Sequence, residues 1–466
     1  MPLRPCRQRA ASRGVPALRP AALVLALIAL ALAAPARAQF QPVPPGTLPA
    51  IDARVQAAIV DSVTAAIDSV YVDGQAAARI SARLRAQLAA GAYRELTDPA
   101  LFVRQLETDA QSVHRDGHFG MAVGQPAPPP PAGQPSGPAD DDARRRANRA
   151  RNYGFARVEI LPGNVGYLKL DSFSDTGDAG ETAVAAMNFL ANADALIIDL
   201  RANGGGAASM IRLLAGYLFA ESTHLINWDI RAEKKTDQSW SADHVPGRRL
   251  ADVPVYVLTS RGTFSAAEEF TFDLRHLERA TVVGDTTGGG GNTVVPAFFD
   301  FGAFRVGMRL PHGHAYDPKS GQGWEGVGVI PHLPVPSEQA LGVAHREALK
   351  KRLEAVTDEG ERARLAWALQ GLEGELAPPS LTAKQLGQYA GSYGPRRIWL
   401  EGGALHYQRE GRPAYAMAPL AKDLFRVAGL DYFRIQFERD ASGKVAKLVG
   451  LYDDGRRDEN PREVRR

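Results

Sequence analysis

The sequence predicts an α/β protein whose central part is a mostly parallel sheet with flanking helices, preceded by a helical domain and followed by a small antiparallel β-barrel. Three observations predict it. Between residues 153 and 336, short apolar runs alternate with amphipathic stretches, as in a largely parallel sheet covered on its faces. Ahead of that region apolar residues recur at three- and four-residue spacing. Behind it, alternating strands are separated by glycine-containing turns. At 466 residues the chain exceeds one ordinary core, so two or three domains are expected.

The first element is a leader. Arg4, Arg7, Arg9, Arg13 and Arg19 precede an apolar run from Ala21 to Ala34 that closes on Ala36-Arg37-Ala38. This is the pattern of a secretory signal peptide over residues 1–38, cleaved after Ala38, and the apolar run is short for a membrane span. Removing it takes away six arginines and no acid, which moves the formal charge from +3 to −3. The basic balance therefore belongs to the leader and argues against a nucleic-acid partner. The single cysteine, Cys6, leaves with it. A mature chain without cysteine excludes disulfides, zinc thiolates and thiol nucleophiles together. Its expected location is periplasmic or secreted, with no stable membrane insertion and with oligomerisation left open.

Residues 47–124 read as the helical domain, with Val55, Ile59, Val63 and Ile67 on one stripe and Ile80, Leu84 and Leu88 on another. A Pro-rich, charged linker follows over residues 125–152. In the core, residues 153–336, the expected strands are Val165–Leu170, Ala195–Leu200, Val255–Leu258 and Ala280–Val283. The expected helices are Glu181–Asn192, Ala207–Phe219 and Ser265–Leu277. Chemistry in such a sheet belongs at the carboxyl ends of the strands. Charged connecting helices span residues 337–378, and the barrel-like domain spans residues 380–466.

Two loops carry chemical signals. In Thr263-Phe264-Ser265-Ala266-Ala267-Glu268-Glu269, Ser265 follows a buried strand and opens a helix. Ser265 and Glu268 form a capping box, which alone accounts for a serine here. A nucleophile requires the same place, beside backbone donors and the positive end of a helix. In Asp199-Leu200-Arg201-Ala202-Asn203-Gly204-Gly205-Gly206, three glycines let the backbone approach a ligand, although taken alone a tight turn is the better explanation of them. Neither loop has the lysine or spacing of a nucleotide-binding motif.

Together with Asn164-Val165-Gly166-Tyr167-Leu168, Gly284-Asp285-Thr286-Thr287-Gly288-Gly289-Gly290 and Trp324-Glu325-Gly326-Val327-Gly328-Val329, these loops form five ordered blocks. The blocks resemble the tail-specific, or C-terminal-processing, serine peptidases, and more closely their interphotoreceptor-retinoid-binding-protein-like branch. The resemblance implies a crotonase-like core, Ser265 as nucleophile, and an oxyanion hole from Gly204, Gly205 and the N–H of Ala266. Members with a Ser-Lys dyad carry a lysine where this chain has Gly290, so a histidine base is the expected replacement. Residues 125–152 are too short for the PDZ domain many members hold.

Tricorn-like relatives draw a histidine from the region of Asp116-Gly117-His118-Phe119-Gly120, which makes His118 the candidate base, with a turn histidine as the plain alternative. Glu325 matches the acidic member of their tetrad, while Gly117 stands where that tetrad's serine is expected. His312 and His314 form a His-x-His pair without a third ligand nearby, so they are expected to be solvent-facing loop histidines. No metal and no cofactor are expected. The reading is an exported serine peptidase acting on peptides or unfolded protein. A binding protein that keeps the fold without turnover, or a hydrolase of non-peptide esters or amides, are the alternatives.

Overall fold

The computed structural model describes residues 42–125 and 145–463. The leader and most of the linker lie outside the described residues.

Six strands form the central sheet: β2 (Phe155–Leu161), β3 (Val165–Leu170), β4 (Ala195–Asp199), β7 (Val255–Thr259), β8 (Ala280–Gly284) and β11 (Leu333–Pro334), in the order β11-β8-β7-β4-β3-β2. Every pairing is parallel except that of edge strand β2 with β3. The apolar runs of β4 and β7 are buried at every residue, because helices cover both faces. Strand alternation divides the side chains between two cores. Leu168, Leu196, Ile198 and Val257 pack with the helices Thr176–Phe189, Ala208–Leu218 and Ala266–His276. Tyr167, Ile197, Tyr256 and Leu258 pack on the other side against Ala340, Ala344, Leu349 and Leu365, from the helices Ala340–Ala355 and Glu359–Leu376. The stretch read as connectors thus roofs one face of the sheet.

The helix expected from Glu181 instead spans Thr176–Phe189, because Asp175 accepts the N–H of Gly177 and caps it a turn earlier.

A second sheet, antiparallel throughout, escaped the sequence reading. Its axis is β10 (Arg305–Tyr316), which pairs with β1 (Gly120–Gly124) along its first half, with β5 (His224–Ile230) at its end, and with β9 (Asn292–Asp300) along its other edge. Strand β6 (Lys235–Trp240) extends it beyond β5. Phe304, Val306, Met308 and Leu310 share one core with Ile59, Val63 and Ile67 of helix Ala53–Val70 and with Phe102 and Leu106 of helix Pro99–Val113. The N-terminal helices therefore fold against this sheet, and β1 carries the chain straight from the His118 loop into it.

His312 and His314 lie on β10, not in a solvent-facing loop, and both are half-buried. A bulge between Pro311 and Gly313 interrupts the register there. The His312 Nδ1 meets the Thr293 hydroxyl at 3.0 Å, while the His314 ring stacks on Tyr316.

The last eight strands, β12 (Gly391–Tyr393) through β19 (Arg457–Pro461), pair antiparallel in sequence order. The Glu463 N–H donates to Ser392 O at 2.9 Å, which brings the first and last strands together and nearly closes a barrel. Tyr393, Phe425, Ile435, Phe437 and Leu448 fill it.

Candidate active site

Three loops leave the carboxyl ends of neighbouring parallel strands: residues 200–206 after β4, 260–265 after β7 and 285–291 after β8. Short hydrogen bonds lace the first two together. The Ser260 hydroxyl donates to Arg201 O at 2.6 Å, the Thr263 hydroxyl to Leu200 O at 2.8 Å, and the Phe264 N–H to Asn203 O at 3.1 Å.

Ser265 emerges from this lacing as the N-cap of helix Ala266–His276, with φ 55° and ψ −124°. A positive φ is costly for a residue with a Cβ, and persists where the surroundings enforce it. The enforcing group is Glu268. Fully buried, it accepts the Ser265 N–H (2.9 Å) and the Gly290 N–H (2.7 Å) on Oε2, and the Gly289 N–H (2.6 Å) and Thr287 hydroxyl on Oε1. The capping-box glutamate thus ties the serine turn to the loop after β8. Burial pushes its carboxyl above the usual range, against the pull of those donors.

Gly205 approaches Ser265 so closely that a Cβ on it would lie 2.8 Å from the serine Cβ, and its φ is +109°. Only glycine fits there. Its N–H, expected among the oxyanion donors, instead donates to Asn203 Oδ1 at 2.9 Å. Asn203, itself buried, is anchored through Nδ2 to Leu170 O. Ala266 opens the helix, at a position where the N–H has no partner within it.

His118 comes from the other end of the molecule in sequence. It is 5% exposed, and its ring lies against Phe264 with centroids 4.7 Å apart. A Cβ at Gly290 would stand 2.7 Å from its Cε1 and 2.4 Å from Phe264 Cζ. The imidazole therefore occupies room that any side chain at residue 290 would take. Ser265 and His118 flank Gly290, one through the shared Glu268 oxygen and the other through this contact. Burial pushes the imidazole down to about 4, with Asp116 partly opposing and Arg309 adding to the fall. It is thus neutral near pH 7, with Nδ1 buried and without a hydrogen-bond partner among the described residues.

Glu325 joins from the loop before β11. Ligand atoms of Asp116, His118 and Glu325 all lie within 4.8 Å of one another. Oε2 of Glu325 accepts the N–H groups of Gly291 (2.6 Å) and Asn292 (2.9 Å). Burial first, and the neighbouring Asp116 second, push its carboxyl up to about 7. As a cation site the trio is poorly suited: the Asp116 oxygens already accept four donors, which leaves them little capacity for a metal. Glu325 and Asn292 also stand in the wall of a cleft of about 630 Å³ that includes His114, Asp229, Arg231 and His314. Ser265 does not line it, so the cleft meets the acidic side of the cluster.

Of the residues picked from the sequence, His118 and Glu325 are brought together, and His118 lies against the turn that carries Ser265. Asp116, Asn203, Glu268 and Asn292 were missed. The capping-box spacing pointed to Glu268, and Asp116 and Asn203 each accept an N–H two residues on, but their ties to Tyr71, Asn292 and Leu170 span sequence distances that no local pattern reports.

A hydroxyl at a strand-to-helix turn, a neutral imidazole and carboxyl groups beside it are the groups that nucleophilic acyl transfer requires. Residues 164–335, which hold the serine turn, both glycine-rich loops and Glu325, match peptidase family S41. A carboxyl-terminal-processing protease of Synechocystis is 35% identical over 130 residues, 28% of this chain and 29% of that protein. The match thus spans less than a third of that relative's length. Among solved structures, one from Parabacteroides merdae is 19% identical, covering 66% of this chain and all of that one, with a TM-score of 0.46. The photosystem II D1 C-terminal processing protease is 16% identical over 61% of this chain and 94% of that one, with a TM-score of 0.37.

Proposed function

We propose that the protein is an exported serine peptidase, with a crotonase-like core of the interphotoreceptor-retinoid-binding-protein-like branch, that cleaves peptides or unfolded protein through an acyl-enzyme on Ser265. The observation that carries the reading is the His118 ring seated on Phe264 in the space left by Gly290, next to the serine turn. His118 accepts the seryl proton as the hydroxyl attacks the peptide carbonyl, then returns it to the leaving amine. Its neutrality near pH 7 suits it to the first of those steps. Glu325 assists from the acidic side.

The N–H of Ala266, at the positive end of the helix, and that of Gly204 stabilise the oxyanion, each donor being worth about 3 kcal/mol in such sites. Gly205 contributes closeness, since its own amide is held by Asn203. The family match over residues 164–335 supports the reaction class. The signal-peptide pattern supports export, and among the described residues no helix is long and apolar enough to cross a membrane.

Hydrolysis of an unstructured peptide pool, followed by mass spectrometry, tests the reading. Ser265→Ala abolishes cleavage, and His118→Ala lowers kcat by roughly 100-fold or more. A pure wild-type protein that binds peptides and leaves them intact would favour the non-catalytic binding protein, and cleavage of esters alone the non-peptide hydrolase.

A further inference from the structure

Of the two acids beside His118, Glu325 is the one the sequence singled out, yet the hydrogen bonds converge on the other. Asp116 is 1% exposed. Its Oδ1 accepts the N–H of His118 at 2.8 Å and of Phe119 at 3.3 Å, so its side chain shapes the very turn that presents the imidazole. Its Oδ2 accepts the Asn292 amide at 3.0 Å and the Tyr71 hydroxyl at 3.4 Å, which fix the turn to β9 and to the end of helix Ala53–Val70. From behind, Gln111 clamps the same turn, accepting the Asp116 N–H and donating to Asp116 O and Phe119 O. Glu325 has two donors, both on one oxygen. With four donors spread over both oxygens, Asp116 is the more firmly held of the two carboxyl groups.

We propose that Asp116 is the residue that positions the His118 imidazole and acts on it electrostatically, with Glu325 the lesser of the two acids. The proposal rests on the peptidase reading and deepens it. The upward push on Glu325 agrees, since Asp116 is one of its causes. The other charged group acting on the imidazole is Arg309 on β10, while Glu107 of helix Pro99–Val113 acts on Arg309 and Glu268 acts on Glu325.

The test is the pH dependence of Ser265 labelling by a fluorophosphonate, alongside kcat and KM for a peptide, in wild type, Asp116→Asn, Asp116→Glu and Glu325→Gln. In the wild type the labelling rate rises through about pH 4 and then levels. Glu325→Gln keeps that limb and loses less than about 10-fold. Asp116→Asn lowers the plateau by roughly 100-fold with KM nearly unchanged. It also moves the limb to lower pH, because Asp116 raises the imidazole's proton affinity. Asp116→Glu recovers the limb. A residue that only held the fold together would leave the limb in place.

If Asp116→Asn does not fold, Asn292→Ala carries the test by removing one donor from Asp116, and it must slow labelling more than Glu325→Gln does. The proposal is overturned by a wild-type limb near pH 7 that disappears in Glu325→Gln. It is equally overturned by wild-type rates and limb in Asp116→Asn, or by an Asn292→Ala rate no lower than that of Glu325→Gln. A wild type that neither labels nor cleaves sinks the peptidase reading itself. A wild type that labels, with Asp116 indifferent, sinks only this inference.

Discussion

At the scale of single residues, the site depends on which side chains are absent as much as on which are present. Gly290→Ala puts a methyl 2.7 Å from His118 Cε1 and closer still to Phe264. The ring must move, so this variant should lose at least about 10-fold in kcat while remaining folded, as steady-state kinetics and circular dichroism will show. Buried charge makes a second prediction. Glu269 and Asp273, one turn apart on helix Ala266–His276, are buried, with Glu269 Oε1 and both Asp273 carboxyl oxygens lacking partners among the described residues. Burial pushes both carboxyls well above the usual range.

A raised carboxyl contributes stability that is complete below its unfolded value and is lost as pH climbs through its folded one. The melting temperature of wild type should therefore fall from about pH 5 to about pH 9, and less steeply in Glu269→Gln. Ser265, His118 and Glu325 were singled out from the sequence because each sits in a short motif. Asp116 was in view inside one of those motifs, but its significance lies in Asn292 and Tyr71, 176 and 45 residues away.

At the scale of elements, the turn that opens helix Ala266–His276 is tied to the loop after β8 by one buried glutamate, Glu268. In Glu268→Gln the side chain keeps its shape but turns one acceptor into a donor, facing amides that also donate. The expected cost is about 1 to 3 kcal/mol in urea unfolding, with activity falling as the Ser265 turn relaxes. An unchanged midpoint and full activity would show that the tie is dispensable. The parallel strands could be read from sequence because burial on both faces leaves continuous apolar runs such as Ala195–Asp199. The second sheet could not. Strand β9 is half-buried along most of its length and contains Pro296, while β10 holds Pro311, Gly307, Gly313 and a bulge. Such features erase alternation and mimic loop composition.

At the scale of the whole molecule, His118 and Ser265 belong to parts that the sequence separates by a linker, and the shared core of the N-terminal helices with β9 and β10 unites them. A version lacking residues 42–125 would expose Val306, Met308 and Leu310 and lose His118. It should therefore aggregate and fail to label, and a soluble, active product would refute the shared-core account. The central claim is that Ser265 is a nucleophile activated by His118. Intact-mass and peptide-mapping spectrometry after fluorophosphonate treatment measures it most directly. The account predicts a single adduct on Ser265, absent in Ser265→Ala and formed about 100-fold more slowly in His118→Ala. An adduct on another residue, or an undiminished rate without His118, would contradict it.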